Sequence, residues 1–484
     1  MTLFYHSRPA RLVTFALLAA TSAACSLHQV NENVVTPATV PDQFHQEPSS
    51  EQKVVSQPRT APWWRDFNDD ELDGLMDQLL AENLDLRASW ARLRQAQQLA
   101  AQSRAAFLPN VTGNGSASRS KSLFVGQEAL LNDYRLNATV SYEVDLWKRL
   151  SQTARATQLD AMASREDTEA LAQSLSANLA RTWFGVVEQH NQLQLLNEQK
   201  AVSQNFLKVV ELRFGQALSS AVDVYQQRRN LASIEAQIPT AQQQLQLGLH
   251  QLAVLLGQTP GSMSPDALGA LADVDPLPRL GLPADLLQHR PDVRAAALRL
   301  TAADYRVGVA IANRFPSLTL SGEPGFQATD LSDLFSNWVW RIAGNITGPI
   351  FDAGRRKAEV ERQRAVLEAA ISSYEQTVLT ALREVEDAAL RDRTQRAFLE
   401  TLVQQRTHAE KALEAAQSRY VRGVGNYLTV LTELSALQNI QRTELTAKRT
   451  LLDHRVSLHL ALGGLWSREI KAMEPVQKVR GTSE

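Results

Sequence analysis

The chain has 484 residues, with 50 Lys plus Arg against 52 Asp plus Glu, and it is 44% hydrophobic but only 6% aromatic. The near-neutral balance excludes nucleic-acid binding by bulk positive charge, and a single cysteine, Cys25, excludes a disulfide framework, a thiolate zinc site and an iron–sulfur cluster. No run of 18 apolar residues follows the N-terminus, so no transmembrane helix is expected there.

Residues 1–24 carry Arg8 and Arg11, then the apolar stretch Leu12 to Ala20, then small residues. This is the pattern of a secretory signal. Cys25 directly follows Ser22-Ala23-Ala24 and is followed by Ser26. The arrangement resembles a bacterial lipobox, with Ser22 where leucine is usual, and implies acylation of Cys25 as the mature N-terminus. A lone thiol in an oxidising compartment would otherwise be a liability. Residues 26–60 are polar and contain Pro37, Pro41, Pro48 and Pro58, which reads as an extended tether.

An internal repeat organises the remainder. A shift of 207 places Asp85-Leu86-Arg87-Ala88 on Asp292-Val293-Arg294-Ala295, Pro109 on Pro316, Asp145 on Asp352 and Arg149 on Arg356. A shift of 206 then places Arg213-Phe214 on Arg419-Tyr420 and Leu256-Gly257 on Leu462-Gly463. Each repeat opens with a helix, expected from Leu72 to Phe107 and from Ala284 to Arg314, stopped by Pro109 and Pro316. Two strand-like segments follow, then a very long helix. Apolar residues at Leu171, Leu175, Leu179, Trp183 and Val186 keep helical period, and no proline interrupts Asn110 to Ile238 or Ile350 to Glu474. The stretch from Leu150 to Arg213 would span ~96 Å at 1.5 Å per residue, a length suited to coiled-coil or α-barrel packing. Breaks at Ala217 to Ser220 and Gly423 to Asn426 reverse the chain into a second long helix.

The strands alternate without interruption from Leu136 to Leu146. From Trp338 to Ile350, one face carries Trp338, Trp340, Ile342, Gly344, Ile346, Gly348 and Ile350, and the other Arg341, Asn345 and Thr347. Their partners, Val111 to Ser120 and Ser317 to Gly322, are rich in Gly and Ser. Strands of this length, apolar on one face, fit a transmembrane β-barrel, with Val140, Tyr142, Trp338, Trp340, Ile342 and Ile346 toward lipid. Trp147, Tyr134, Trp338 and Trp340 would supply an aromatic girdle. An antiparallel sheet with one buried face alternates in the same way. Four strands cannot close a barrel, and an open edge is forbidden in lipid, so the chain must oligomerise. Two copies fill an eight-stranded interior with side chains, whereas three give twelve strands and an open lumen.

These features resemble the outer-membrane efflux (TolC-like) family, in its lipoprotein branch paired with resistance–nodulation–division pumps. The likeness lies in Pro62-Trp63-Trp64-Arg65-Asp66-Phe67, Arg290-Pro291-Asp292-Val293-Arg294-Ala295-Ala296, Gly348-Pro349-Ile350-Phe351-Asp352-Ala353-Gly354-Arg355-Arg356 and Ala461-Leu462-Gly463-Gly464-Leu465-Trp466. It implies a mostly α fold with a small β part: a homotrimer with a 12-stranded outer-membrane β-barrel on a long periplasmic α-helical barrel. It also implies a passive exit duct for an inner-membrane efflux pump, reached through a periplasmic adaptor (a membrane fusion protein). Residues 1–24 are then signal peptide, 25–60 a lipid-anchored extended segment, 61–270 and 271–472 the two efflux repeats, and 473–484 a tail.

The helix-hairpin tips are the expected adaptor contacts: Leu218 and Ser219 in the first repeat, and Gly423, Val424, Gly425 and Asn426 in the second. Gly423 and Gly425 would permit positive φ and close approach; a plain helix–helix turn accounts for the same residues. Gly425-Asn426-Tyr427-Leu428-Thr429 holds no acid, so a charged gate is not carried over from the family. Catalytic motifs are absent: no GxGxxG, P-loop, HExxH or GxSxG occurs. His408, His454 and His459, and the acids Glu384, Glu386 and Asp387, fall on helices, where solvated or packed side chains are the plain reading. No enzyme activity, cofactor, metal or nucleic-acid partner is expected. A periplasmic coiled-coil adaptor or scaffold, and an outer-membrane duct for type I protein secretion, are the alternatives; the former lacks paired lipid-facing strands.

Overall fold

The first helix is shorter than its pattern predicts. In the computed structural model, which describes residues 28–32, 40–46, 62–124, 127–264, 268–274, 276, 280 and 283–464, it runs as α1 (Asp70–Glu82) and α2 (Leu84–Ala105). Asp69 caps α1 by accepting from the Leu72 amide at 3.0 Å. Asn83 breaks the run: its ψ is 128°, and its side chain accepts from the Leu86 amide at 2.9 Å, so it ends one helix and caps the next. The second repeat breaks at the equivalent place. A single turn at Leu286–His289 gives way to α5 (Pro291–Ala312), which follows the long helices α3 (Arg149–Gly215) and α4 (Ala221–Leu255) in the chain. Pro291 starts that helix because it has no amide to satisfy, and it disfavours helical geometry at Arg290.

The repeat is reproduced residue for residue in the long helices. α3 (Arg149–Gly215) and α6 (Arg355–Val421) are each 67 residues, and α4 (Ala221–Leu255) and α7 (Tyr427–Ala461) are each 35. At 1.5 Å per residue, α3 is about 100 Å long. The repeated aspartates set where these helices begin: Asp145 accepts from the amides of Leu150 and Ser151 at 2.9 and 2.8 Å. Asp352 likewise accepts from Gly354 and Arg356 at 3.1 and 3.3 Å. Pro239 lies inside α4 without ending it.

The chain divides into two compact units. One gathers Arg92–Glu166 and Ala295–Gln376 with residues 28–32, and it holds all four strands. These are β1 (Asn110–Phe124), β2 (Gln127–Val144), β3 (Ser317–Ala328) and β4 (Trp338–Thr347), in one antiparallel sheet of order β1-β2-β3-β4. β1 and β2 extend beyond the expected Val111–Ser120 and Leu136–Leu146. β4 stops short of Ile350, because Gly348 is pressed against Pro316 and Pro349 has no amide for the ladder.

The other unit contains the tips and the main apolar core. Trp63, Trp64, Phe67, Leu72, Met76 and Leu79 pack against Phe184, Leu252 and Leu452, all buried. The Phe67 and Phe184 rings meet edge-on at 5.0 Å. His459 is buried and stacked on Trp63 at 5.6 Å, so it is a packed histidine. A buried ion pair joins Arg455 to Asp392 at 2.9 Å.

The described parts of the N-terminal tether are pinned to helices. His28 lies 2.6 Å from Asp304, which also accepts from the Asn31 amide at 3.0 Å. Phe44 is buried, and Glu386 accepts from the amides of His45 and Gln46 at 2.7 and 3.2 Å. The acids expected to be a solvated face are thus occupied: Glu384 pairs with Arg290 at 2.8 Å and Asp387 with Arg383 at 3.1 Å. Cys25, the signal sequence and the tail lie outside the described residues.

Candidate functional site

Two features qualify: the faces of the sheet and the two hairpin tips. Antiparallel partners share a face, so the register assigns every strand residue to one side. Val111, Val140, Gly322 and Ile342 align across all four strands. Tyr142, Leu320 and Gly344 form the next row, then Val144, Leu318 and Ile346. In the other direction come Pro324 with Trp340, then Leu136, Phe326 and Trp338. All six residues expected to face lipid therefore lie on one side. The opposite side carries Thr112, Thr139, Asn114, Thr319, Asn345, Glu323 and Arg341. Asn114 donates to Thr139 across the strands at 3.0 Å.

The apolar side is not covered by the chain's own helices. Ile342 is 77% exposed, Ile346 76% and Trp340 62%. A sheet with one buried face would hide these residues, so this patch needs lipid or another chain. β1 and β4 stand at the two ends of the strand order, each with one edge unpaired among the described residues.

Each tip is built by the same capping motif. The Leu218 amide donates to the Arg213 carbonyl at 2.8 Å and Ala217 to Phe214 at 2.9 Å. In the twin, Val424 donates to Arg419 and Gly423 to Tyr420, both at 3.0 Å. These are Schellman caps, with Ala217 at φ 60° and Gly423 at φ 76° in the left-handed position. Gly425 corrects the expectation: its φ is not positive, and it is needed because an added Cβ would lie 3.1 Å from Arg419 Cβ and 3.2 Å from the Tyr420 amide nitrogen. Ser219 and Asn426 each hold a hydrogen bond within the turn. Ser219 donates to Asp223 at 2.8 Å, and Asn426 accepts from the Thr429 amide at 2.9 Å.

Because alanine tolerates left-handed backbone poorly, Ala217→Gly is expected to stabilise the first tip by about 0.5–1 kcal/mol. Hydrogen exchange at the Leu218 amide should slow by roughly two- to fivefold, since 1.4 kcal/mol is a factor of ten.

Exposed apolar residues surround both turns. Leu218 lies in the first turn beside Val222 and Tyr225 of α4, and Val424 in the second between Val421 of α6 and Leu428 of α7; all six are exposed. Only Leu218 and Val424 are singled out by sequence. Behind them a buried cluster of Val210, Val224, Leu413, Tyr420, Tyr427 and Val430 joins the two hairpins. Arg213 sits over the Tyr420 ring at 4.6 Å. Tyr427 donates to Gln227 Oε1, and the buried Gln227 amide donates to the Ser203 carbonyl at 2.7 Å. Burial pushes the Tyr427 hydroxyl pKa upward, so it remains a protonated donor at neutral pH. No sequence period reveals this link, because it crosses between repeats.

Among the described residues, no group of three or more His, Cys, Asp or Glu side chains could hold a metal. The Gln242-Gln243-Gln244 face of α4 is exposed.

The outer membrane efflux protein family matches residues 75–258 and 282–464, once per repeat. The pyoverdine export outer membrane protein OpmQ of Pseudomonas aeruginosa is 30% identical over 416 residues, covering 84% of this chain and 88% of its own. The toluene efflux pump outer membrane protein TtgF of Pseudomonas putida is 31% identical, covering 84% of this chain and 85% of its own. The solved outer-membrane channel OprN superimposes with a TM-score of 0.85 at 27% identity, covering 91% of this chain and all of that one. Two matched repeats, an uncovered apolar sheet face and paired helical hairpins converge on one conclusion: this chain belongs to the outer membrane efflux protein family, as an outer-membrane efflux channel component.

Proposed function

We propose that three copies of this chain join their four-stranded sheets into a 12-stranded barrel, the outer-membrane exit of a tripartite efflux system. The carrying observation is the apolar face that crosses all four strands and remains exposed, between two open edges. An open edge in lipid leaves backbone groups unsatisfied, and closure with further copies removes it. Three copies leave a lumen, whereas two do not. The polar side, with Thr112, Asn114, Glu323, Arg341 and Asn345, then lines the water-filled interior. Native mass spectrometry of the detergent-solubilised protein is expected to give three copies. A stable, fully helical monomer would overturn the reading.

In this assembly the inner-membrane pump delivers cargo through a periplasmic adaptor, and the exposed apolar tips are the adaptor's contact. The relatives carry different cargoes by name, pyoverdine and toluene. A wide duct discriminates weakly, so cargo choice belongs to the pump.

Acylation of Cys25 adds a second hold on the membrane. The mature N-terminal peptide is expected to carry lipid on Cys25 by mass spectrometry, and an unmodified Cys25 or a different start would refute it. Cys25→Ser should weaken anchoring or maturation and leave channel activity in the molecules that assemble, because the barrel supplies its own membrane contact.

A further inference from the structure

The β1–β2 hairpin continues past the rest of the sheet, and there its apolar side changes character. β2 pairs with β3 only as far as Tyr134 opposite Ala328, whereas β1 and β2 remain paired up to Phe124 opposite Gln127. On β1 the side shared with Ile342 reads Val111, Gly113, Gly115, Ala117, then Arg119 and Lys121. The other side reads Asn110, Thr112, Asn114, Ser116, Ser118 and Ser120, polar and uncharged throughout. Two exposed cations thus occupy the outward side of a strand whose inward side has none, against one acid on that side of β2, Glu128 opposite Leu123.

Their height follows from the register. Ile346 to Trp338 is eight residues, about 27 Å along the strand and about 20 Å in height at a tilt near 40°, close to a full apolar band. Arg119 pairs with Asn132, two residues beyond Tyr134 and four beyond Leu136. It therefore lies about 10 Å above the row of Leu136 and Trp338, immediately beyond the aromatic residues. That is the headgroup layer, and long basic side chains can reach back toward it. The paired end at Phe124 and Gln127 is the end of β2 remote from α3, so this layer belongs to the outer leaflet.

We infer that Arg119 and Lys121 form an outward-facing anion site that binds phosphate groups on outer-leaflet lipid. The inference rests on the proposed lipid orientation of the apolar side. Charge complementarity identifies the occupant: guanidinium binds phosphate oxygens in bidentate fashion, ammonium acts as a point charge, and the adjacent apolar rows hold the acyl chains. The closed barrel would repeat the pair on each copy.

The test uses the full-length protein in phosphatidylcholine nanodiscs that carry either diphosphoryl lipid A or its dephosphorylated form. Native mass spectrometry reads the lipid retained per assembly. Wild type should retain the phosphorylated form preferentially. Retention should fall about fivefold for each cation removed in Arg119→Gln and Lys121→Gln, following ~1 kcal/mol per basic residue at a membrane surface, and it should weaken with salt. The charge-preserving exchange Arg119→Lys with Lys121→Arg should keep most of the preference, and Arg341→Gln, on the opposite side of the sheet, should not change it. Entry into nanodiscs with equal retention of both lipids, or a double glutamine variant that binds like wild type, would overturn this inference alone. Failure of wild type to enter nanodiscs at all would overturn the lipid-facing reading and this inference with it.

Discussion

Arginine in place of Ile342 is expected to impair membrane assembly by about 2–4 kcal/mol per chain, the cost of a cation at mid-depth on a lipid-facing strand. Ile342 lies in the row of Val111, Val140 and Gly322 and is 77% exposed. Its neighbours on that side, Gly322, Leu320, Pro324, Trp340 and Gly344, cannot neutralise a guanidinium, and closed symmetry would repeat the penalty in every copy. Asn345→Arg, three residues along the same strand, is the control. Asn345 pairs with Thr319 on the polar side, where water hydrates a new charge. Heat-modifiable migration and insertion into phospholipid vesicles should be lost for the first variant and retained for the second. Equal behaviour of the two would show that the sides are misassigned.

The second large effect concerns the tips. Leu218→Asp and Val424→Asp are each expected to abolish efflux in cells while oligomer level and outer-membrane insertion stay normal. Both residues are exposed, at 61% and 67%, and their caps are made by backbone groups. The tip therefore folds without the apolar side chains. A carboxylate forced into an apolar contact costs about 1–3 kcal/mol, roughly a 5- to 150-fold loss of adaptor affinity. Gly425→Trp is a poor test, because an added Cβ would lie 3.1 Å from Arg419 Cβ and the turn would have to shift to admit it. Unchanged cellular sensitivity in both aspartate variants would show that the tips serve only as turns.

Much of this architecture is legible before any coordinates. Period-2 alternation identified β2 and β4, and the twofold repeat made two weak Gly/Ser-rich segments recognisable as their partners. The absence of proline over more than a hundred residues announced α3 and α6. The repeated pair Asp145 and Asp352 caps the starts of those helices. The two misread helices share one cause. Asn83 and Pro291 lie inside good helical periodicity, and a capping side chain or a missing amide acts at one residue, which an averaged period overlooks.

What the sequence by itself determined, then, is whatever depends on neighbours along the chain: the long helices, strand sidedness, the reversal points and the twofold plan. The tertiary structure alone decided what depends on pairing between distant segments. It joined the two hairpins through β2 and β3, and it linked the repeats through Tyr427 and Gln227. It also pinned residues 28–32 and 40–46 onto helices hundreds of positions away. Register assigned Arg119 and Lys121 to the apolar side, since a slip of one residue would have placed both inside. Such contacts are chosen by the collective packing of whole faces, and local sequence records the faces but not their partners.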